Sequence, residues 1–151
     1  MKDKKKQIVS MRISGSDLEK VKDIAKRLQA KEADIYRFAV KNVLAKLAPL
    51  HDVEATGKDL MPVFVDYGTE IASHFELDGK RLDRIINGDV TEPARRVDRE
   101  DMELIAMSAM PEHYLYIKLR ELTGASVEPD GVAGALRAYL RKKYVEGPAE
   151  E

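Results

Sequence analysis

The chain has 151 residues, no cysteine, 35% charged residues and a formal net charge of −1. Without cysteine, disulfides and thiolate metal sites are excluded and a reducing cytoplasm is the expected compartment. His51, His74 and His113 are too widely spaced to form a close ligating pair, so no metal or cofactor is expected. No apolar run approaches the roughly 20 residues of a membrane span, and no apolar stretch of the signal-peptide kind follows the basic start.

The near-zero net charge hides an uneven distribution. Residues 1–48 hold 13 Lys+Arg against 6 Asp+Glu, a net of +7, and residues 49–151 hold 13 against 21, a net of −8. A basic front module on an acidic body points the front end toward a polyanion.

The first element is "KKKQIVSMRIS". Val9, Met11 and Ile13 share one parity and Ile8, Ser10 and Arg12 the other, the period of a strand with one apolar face. A lone strand leaves its backbone groups unpaired. No second strand follows nearby, so another copy of the chain is the simplest partner. "SGSDLEKVKDIAKRLQ" reads as a helix capped by Ser14 or Ser16, with Leu18, Val21, Ala25 and Leu28 in one stripe. "AKEADIYRFAVKNVLAKLA" reads as a second helix, apolar around more than half its circumference, which again calls for a second chain as cover. Pro49 is expected to stop it.

Residues 49–58 read as a linker. A helical domain is expected over 59–146, with a tail at 147–151. Within it, "DLMPVFVDYG" should end at Gly68, and "TEIASHFE" and "DGKRLDRIING" should form two short helices parted at Leu77–Asp78 and closed by Gly88. Asp98 is expected to cap "REDMELIAMSAM", with Met102, Ile105, Ala106 and Ala109 on one face. For 112–122, Leu115, Leu119 and Leu122 suit a helix while Leu115, Ile117 and Leu119 also alternate; Pro111 at a helix N1 position favours helix. Asp130 is placed as the cap of a last helix, "GVAGALRAYLRKKY". Its cations Arg137, Arg141, Lys142 and Lys143 either touch a polyanion or suit the helix dipole.

One strand and two helices within about 50 residues resemble the ribbon-helix-helix family, on "QIVSMRIS", "SGSDLEKV" and "DIYRFAV". The resemblance implies an intertwined dimer whose paired strands enter the DNA major groove. By position it gives Ser10, Arg12 and Ile8 to base edges, Lys4, Lys5, Lys6 and Lys31 to phosphates, and Val9, Met11, Ile13 and Phe38 to the dimer core. Arg pairs bidentately with guanine, Ser donates or accepts, and Ile can touch a thymine methyl. The family often has Ser or Thr where the second helix starts; here "KEAD" sets Glu32 and Asp34 against an anion. "IASHFELDGKRLDRIING" is similar to the helix-turn-helix of Cro and lambda-repressor type, on Ala72, Leu77, Leu82, Ile85 and Asn87–Gly88, across residues 59–110 with the motif itself at 69–88. That likeness implies a second DNA contact through Lys80, Arg81, Arg84 and Asn87, or a helical bundle used for assembly.

The expected fold is therefore mainly α, a ribbon-helix-helix module followed by an all-α domain. The expected function is a cytoplasmic, homodimeric or larger, sequence-specific DNA-binding regulator, a repressor, with double-stranded DNA as partner and no membrane. The alternative is an antitoxin-type or plasmid partition or conjugation accessory protein whose C-terminal domain binds a protein partner. No phosphate-cradling loop, nucleophile elbow or metal pair suggests an enzyme.

Overall fold

A computed structural model of the chain describes residues 5–110, 112–124 and 131–147. Among them are eight α-helices, and the chain divides into two compact units, Met1–Lys46 and Leu47–Glu151.

In the first unit, residues 5–14 have no regular secondary structure and lead into α1 (Gly15–Arg27) and α2 (Glu32–Lys46). The expected strand is not there, and no strand occurs among the described residues. This corrects the ribbon-helix-helix fold: the unit is an arm followed by a helical hairpin. The physical reason is that a strand exists through backbone hydrogen bonds to a neighbouring strand, and no other strand occurs among the described residues.

Ser14 starts α1 by accepting a hydrogen bond from the Asp17 backbone N–H at 3.2 Å. The hairpin turns through Gln29, which adopts the left-handed conformation at φ +56°. Ala30 N–H then bonds back to the Ala25 carbonyl at 2.8 Å, a six-to-one closure that satisfies the end of α1. Ala25, at the crossing, is buried; α2 buries no residue at all.

The second unit opens with α3 (Ala48–His51), so Pro49 sits in the first turn of a new helix just after α2 has ended. The expected linker is thus partly structured. Thr56 and Asp59 form a capping box around the 3₁₀ turn Gly57–Leu60. Gly57 has φ +56°, and a Cβ there would lie 2.1 Å from the Arg95 carbonyl oxygen, so only glycine fits.

Helix α4 (Met61–His74) runs unbroken through Gly68, against the expectation of a break there. Helix α6 comes so close at this point that a Cβ on Gly68 would lie 3.2 Å from an Ile105 methyl. The glycine serves the packing and does not end the helix. Then come α5 (Gly79–Asn87), α6 (Arg99–Met107), α7 (Glu112–Thr123) and α8 (Val132–Leu140), with a π-helical segment, Arg141–Val145, continuing α8. The ambiguity at 112–122 resolves as helix: Leu115 and Leu119 are buried while Ile117, on the alternating pattern, is exposed. Pro111 and Asp130 lie outside the described residues.

Helix α6 is the hub, packed on α4, α5 and α7, with α8 closing against α4 and α7. One core runs through the unit, built on Met61, Phe64, Leu82, Ile86, Met102, Leu104, Ile105, Leu119 and Leu140. No helix among the described residues is long and apolar enough to cross a membrane.

Candidate nucleic-acid interface

The first unit presents its cations outward. Lys5, Lys6 and Arg12 on the arm, Lys20, Lys22, Lys26 and Arg27 on α1, and Lys31 beyond it are all exposed. On α2, Arg37 pairs with Asp34 at 3.1 Å, a spacing of one helical turn. Lys4 lies outside the described residues. Ser10 is exposed beside Arg12, and Ile8 is 96% exposed.

Val9, Met11 and Ile13, given to a dimer core, line a shallow groove with Ser10, Leu18 and Tyr36. Within one chain Ile13 is half-buried, while Val9 and Met11 remain exposed. Phe38 is 69% exposed, with Val40, Val43 and Leu44 of α2, Ile24 of α1 and Leu28 just past its end also uncovered.

The start of α2 already holds an anion. The Asp34 carboxylate accepts from the Lys31 backbone N–H at 3.2 Å and pairs with Arg37. Free N–H groups at a helix start are what would draw a phosphate. Here a side chain occupies that place, so Lys31 can offer only its ammonium.

In the second unit a tight turn joins α4 to α5. Phe75 caps α4, Glu76 turns left-handed at φ +52°, and Leu77 N–H closes on the Ala72 carbonyl at 2.9 Å. Asp78 caps α5 by accepting from Arg81 N–H at 2.8 Å. Ala72, Leu77 and Leu82 are buried as expected. Ile85 is 43% exposed instead, and its neighbour Ile86 fills the core. α5 packs on α6, and the helical phase of that contact selects Ile86.

The four residues given to a second DNA contact do not act together. Asn87 is buried. Its side-chain amide donates to the Val97 carbonyl and to Asp83, both at 2.8 Å, and its oxygen accepts from Val97 N–H at 2.9 Å. It clips the loop after α5 in place and is not available to a base. Arg81 reaches back toward the carbonyls of Phe75 and Glu76 at 3.5 and 3.4 Å. Lys80 and Arg84 remain, one turn apart and exposed on α5.

The C-terminal cations divide likewise. Arg141 pairs with Asp66 at 2.5 Å, and Lys143 lies 2.7 Å from both Asp98 and Asp101. Arg137 and Lys142 are exposed. Asp98 stands at the cap position of α6 without a side-chain cap bond, because its carboxylate is turned to Lys143.

Asp101 is the group that the sequence pattern missed. It is fully buried. Its Oδ1 accepts from the Tyr139 hydroxyl at 2.9 Å, and its Oδ2 accepts from the Tyr144 hydroxyl and from Lys143. The Tyr144 oxygen in turn accepts from Asp98 N–H at 3.1 Å. Burial and then the bond to Asp101 raise the pKa of both phenols. Burial alone would lower that of Lys143, but the bonds to Asp101, Asp98 and Tyr139 outweigh it and hold the ammonium charged well above its ordinary range. Residues 139, 143 and 144 reach one carboxylate because the π-helical segment widens the turn: Glu146 N–H bonds to the Arg141 carbonyl five residues back. A signal was present in the sequence, an acid on the apolar face of α6, but an isolated Asp at a helix start reads as a dipole partner.

No group of three or more potential metal ligands converges among the described residues. Comparison with family models, with curated proteins and with solved structures gives no match to this chain.

Proposed function

We propose that the chain is a homodimeric, DNA-binding transcriptional regulator of the cytoplasm, a repressor that acts by occupying its site. The observation that carries this reading is the net +7 charge of residues 1–48, with Lys5, Lys6, Arg12, Lys20, Lys22, Lys26, Arg27 and Lys31 all exposed. Such a surface attracts the phosphate backbone and releases its counterions, giving affinity that falls steeply with salt. Lys5, Lys6 and Lys31 take phosphates in this reading. Ser10, Arg12 and Ile8, on the same arm, take base edges, where Arg recognises guanine and Ile a thymine methyl.

The pairing of two chains rests on α2, whose apolar side chains are uncovered in a single copy. Two hairpins laid face to face would bury them as a helical bundle does. The second unit has a core of its own, which favours an assembly or sensing domain over an antitoxin tail that folds only on its target.

Fluorescence anisotropy with duplex DNA over a salt series tests the reading. Lys5→Glu with Lys6→Glu should weaken binding at least about tenfold and flatten the slope of log affinity against log salt by roughly two contacts' worth. Arg12→Ala should relax the sequences selected from a random pool while leaving non-specific affinity nearly unchanged. Duplex affinity insensitive to salt and to both lysines would remove the proposal.

A further inference from the structure

We propose that an acidic-rimmed groove on the second unit captures the basic arm, residues 5–14, of a second copy of this chain. The groove lies between the α4–α5 turn and the end of α6 and encloses about 360 Å³. Its floor is apolar, with Leu77, Ala106, Met107 and Met110 among the lining groups. Its rim carries Glu76, Asp78 and Glu103, all exposed, and no cation lines it among the described residues.

The chemistry of the rim selects the ligand. Asp78 already caps α5, and Glu103 lies so close to Gly79 that a Cβ there would meet its carboxylate at 2.2 Å. The positive end of α5 is thus covered by two carboxylates, and an anion is repelled. An apolar floor gives a bare cation nothing to bury. The fitting ligand has apolar side chains flanked by positive charge. The volume suits one or two inserted side chains and not a helix, whose diameter is about 10 Å.

The arm has these properties. Ile8, Val9 and Met11 are 96%, 85% and 72% exposed, and Lys5, Lys6 and Arg12 flank them. Across the molecule the charge of residues 1–48 is +7 and that of 49–151 is −8, so association of an arm with the acidic unit of another copy is electrostatically steered. If the proposed function holds, the captured arm is withheld from DNA, and the groove sets a self-masked state that duplex DNA must displace. Capture itself does not depend on that reading.

The test is anisotropy of a labelled peptide of residues 5–14 titrated with the 151-residue chain. Saturable, salt-sensitive binding is expected. Glu76→Lys together with Met110→Lys should weaken it by about tenfold or more, the effect of roughly 1.4 kcal/mol. Glu92→Lys, the same charge change at an exposed position outside the groove, should leave it unchanged. Both variants should melt like the parent. Absence of saturable binding, or equal weakening by Glu92→Lys, overturns the proposal. Duplex binding is measured on the same samples. Peptide capture without DNA binding removes the DNA reading alone, and DNA binding without capture removes the groove alone.

Discussion

Asp101 accepts from two phenols and one ammonium, and these contacts tie the end of α8 to α6. Asp98 shares the same ammonium from a largely exposed position. Burial separates their worth. Asp101→Ala leaves two part-buried hydroxyls without their acceptor and takes one of two carboxylates from the Lys143 ammonium, and should cost about 3 kcal/mol in urea denaturation. Asp98→Ala should cost less than about 1 kcal/mol. Equal losses would mean that the buried carboxylate is not the anchor. The same groups set the alkaline limit. Tyr144 and Lys143 have folded pKa values above their ordinary 10.0 and 10.5, so the folded state holds these protons more tightly than the unfolded state. Their contribution is complete below about pH 10 and is lost as the pH rises above it. Circular dichroism melts should fall through that range more steeply in the parent than in Tyr144→Phe, and parallel curves would count against the network.

At the scale of elements, the α1–α2 and α4–α5 turns use one device, a left-handed residue followed by a six-to-one closure, at Gln29 and at Glu76. Neither is glycine, although the left-handed conformation costs an L-residue about 1–2 kcal/mol. Glu76→Gly should therefore raise stability by roughly 0.5–1 kcal/mol, the relieved strain less the added chain entropy of glycine. A lower melting temperature would show that the Glu76 side chain contributes more than its backbone strain costs. Gly68 shows the opposite error of a local rule. It reads as a helix end, yet it stands inside α4 because Ile105 of α6 needs the space of a side chain.

At the scale of the whole molecule, the two units differ in what covers their apolar groups. The second unit buries Leu82, Met102, Leu104 and Ile105 within one chain, whereas α2 buries nothing. Exposed apolar area of this extent marks an interaction surface. At high salt, which suppresses capture of the arm, sedimentation velocity should show the parent as a dimer and Phe38→Asp with Val43→Asp as a monomer, with the helical content of the second unit retained. A parent that stays monomeric at every concentration would sink the pairing through α2.

Helical period, capping residues and charge placement were legible from the order of residues alone. The stripe of Leu18, Val21 and Ala25 on α1, a serine cap ahead of it at Ser14 or Ser16, and the basic and acidic parts of the chain all follow from properties that each segment carries by itself. The strand over residues 7–14 was not decided that way, because alternation describes a segment's faces while a ladder needs a neighbour. Nor was the fate of individual polar groups. Asn87, a possible second DNA contact by sequence, is locked to Val97, and Lys143, by sequence either a polyanion contact or a helix-dipole partner, is held by Asp98 and Asp101. Local sequence determines what a side chain can do; the packing of α5, α6 and α8 decides which partner reaches it first, since burial makes an unpaired polar group too costly to leave.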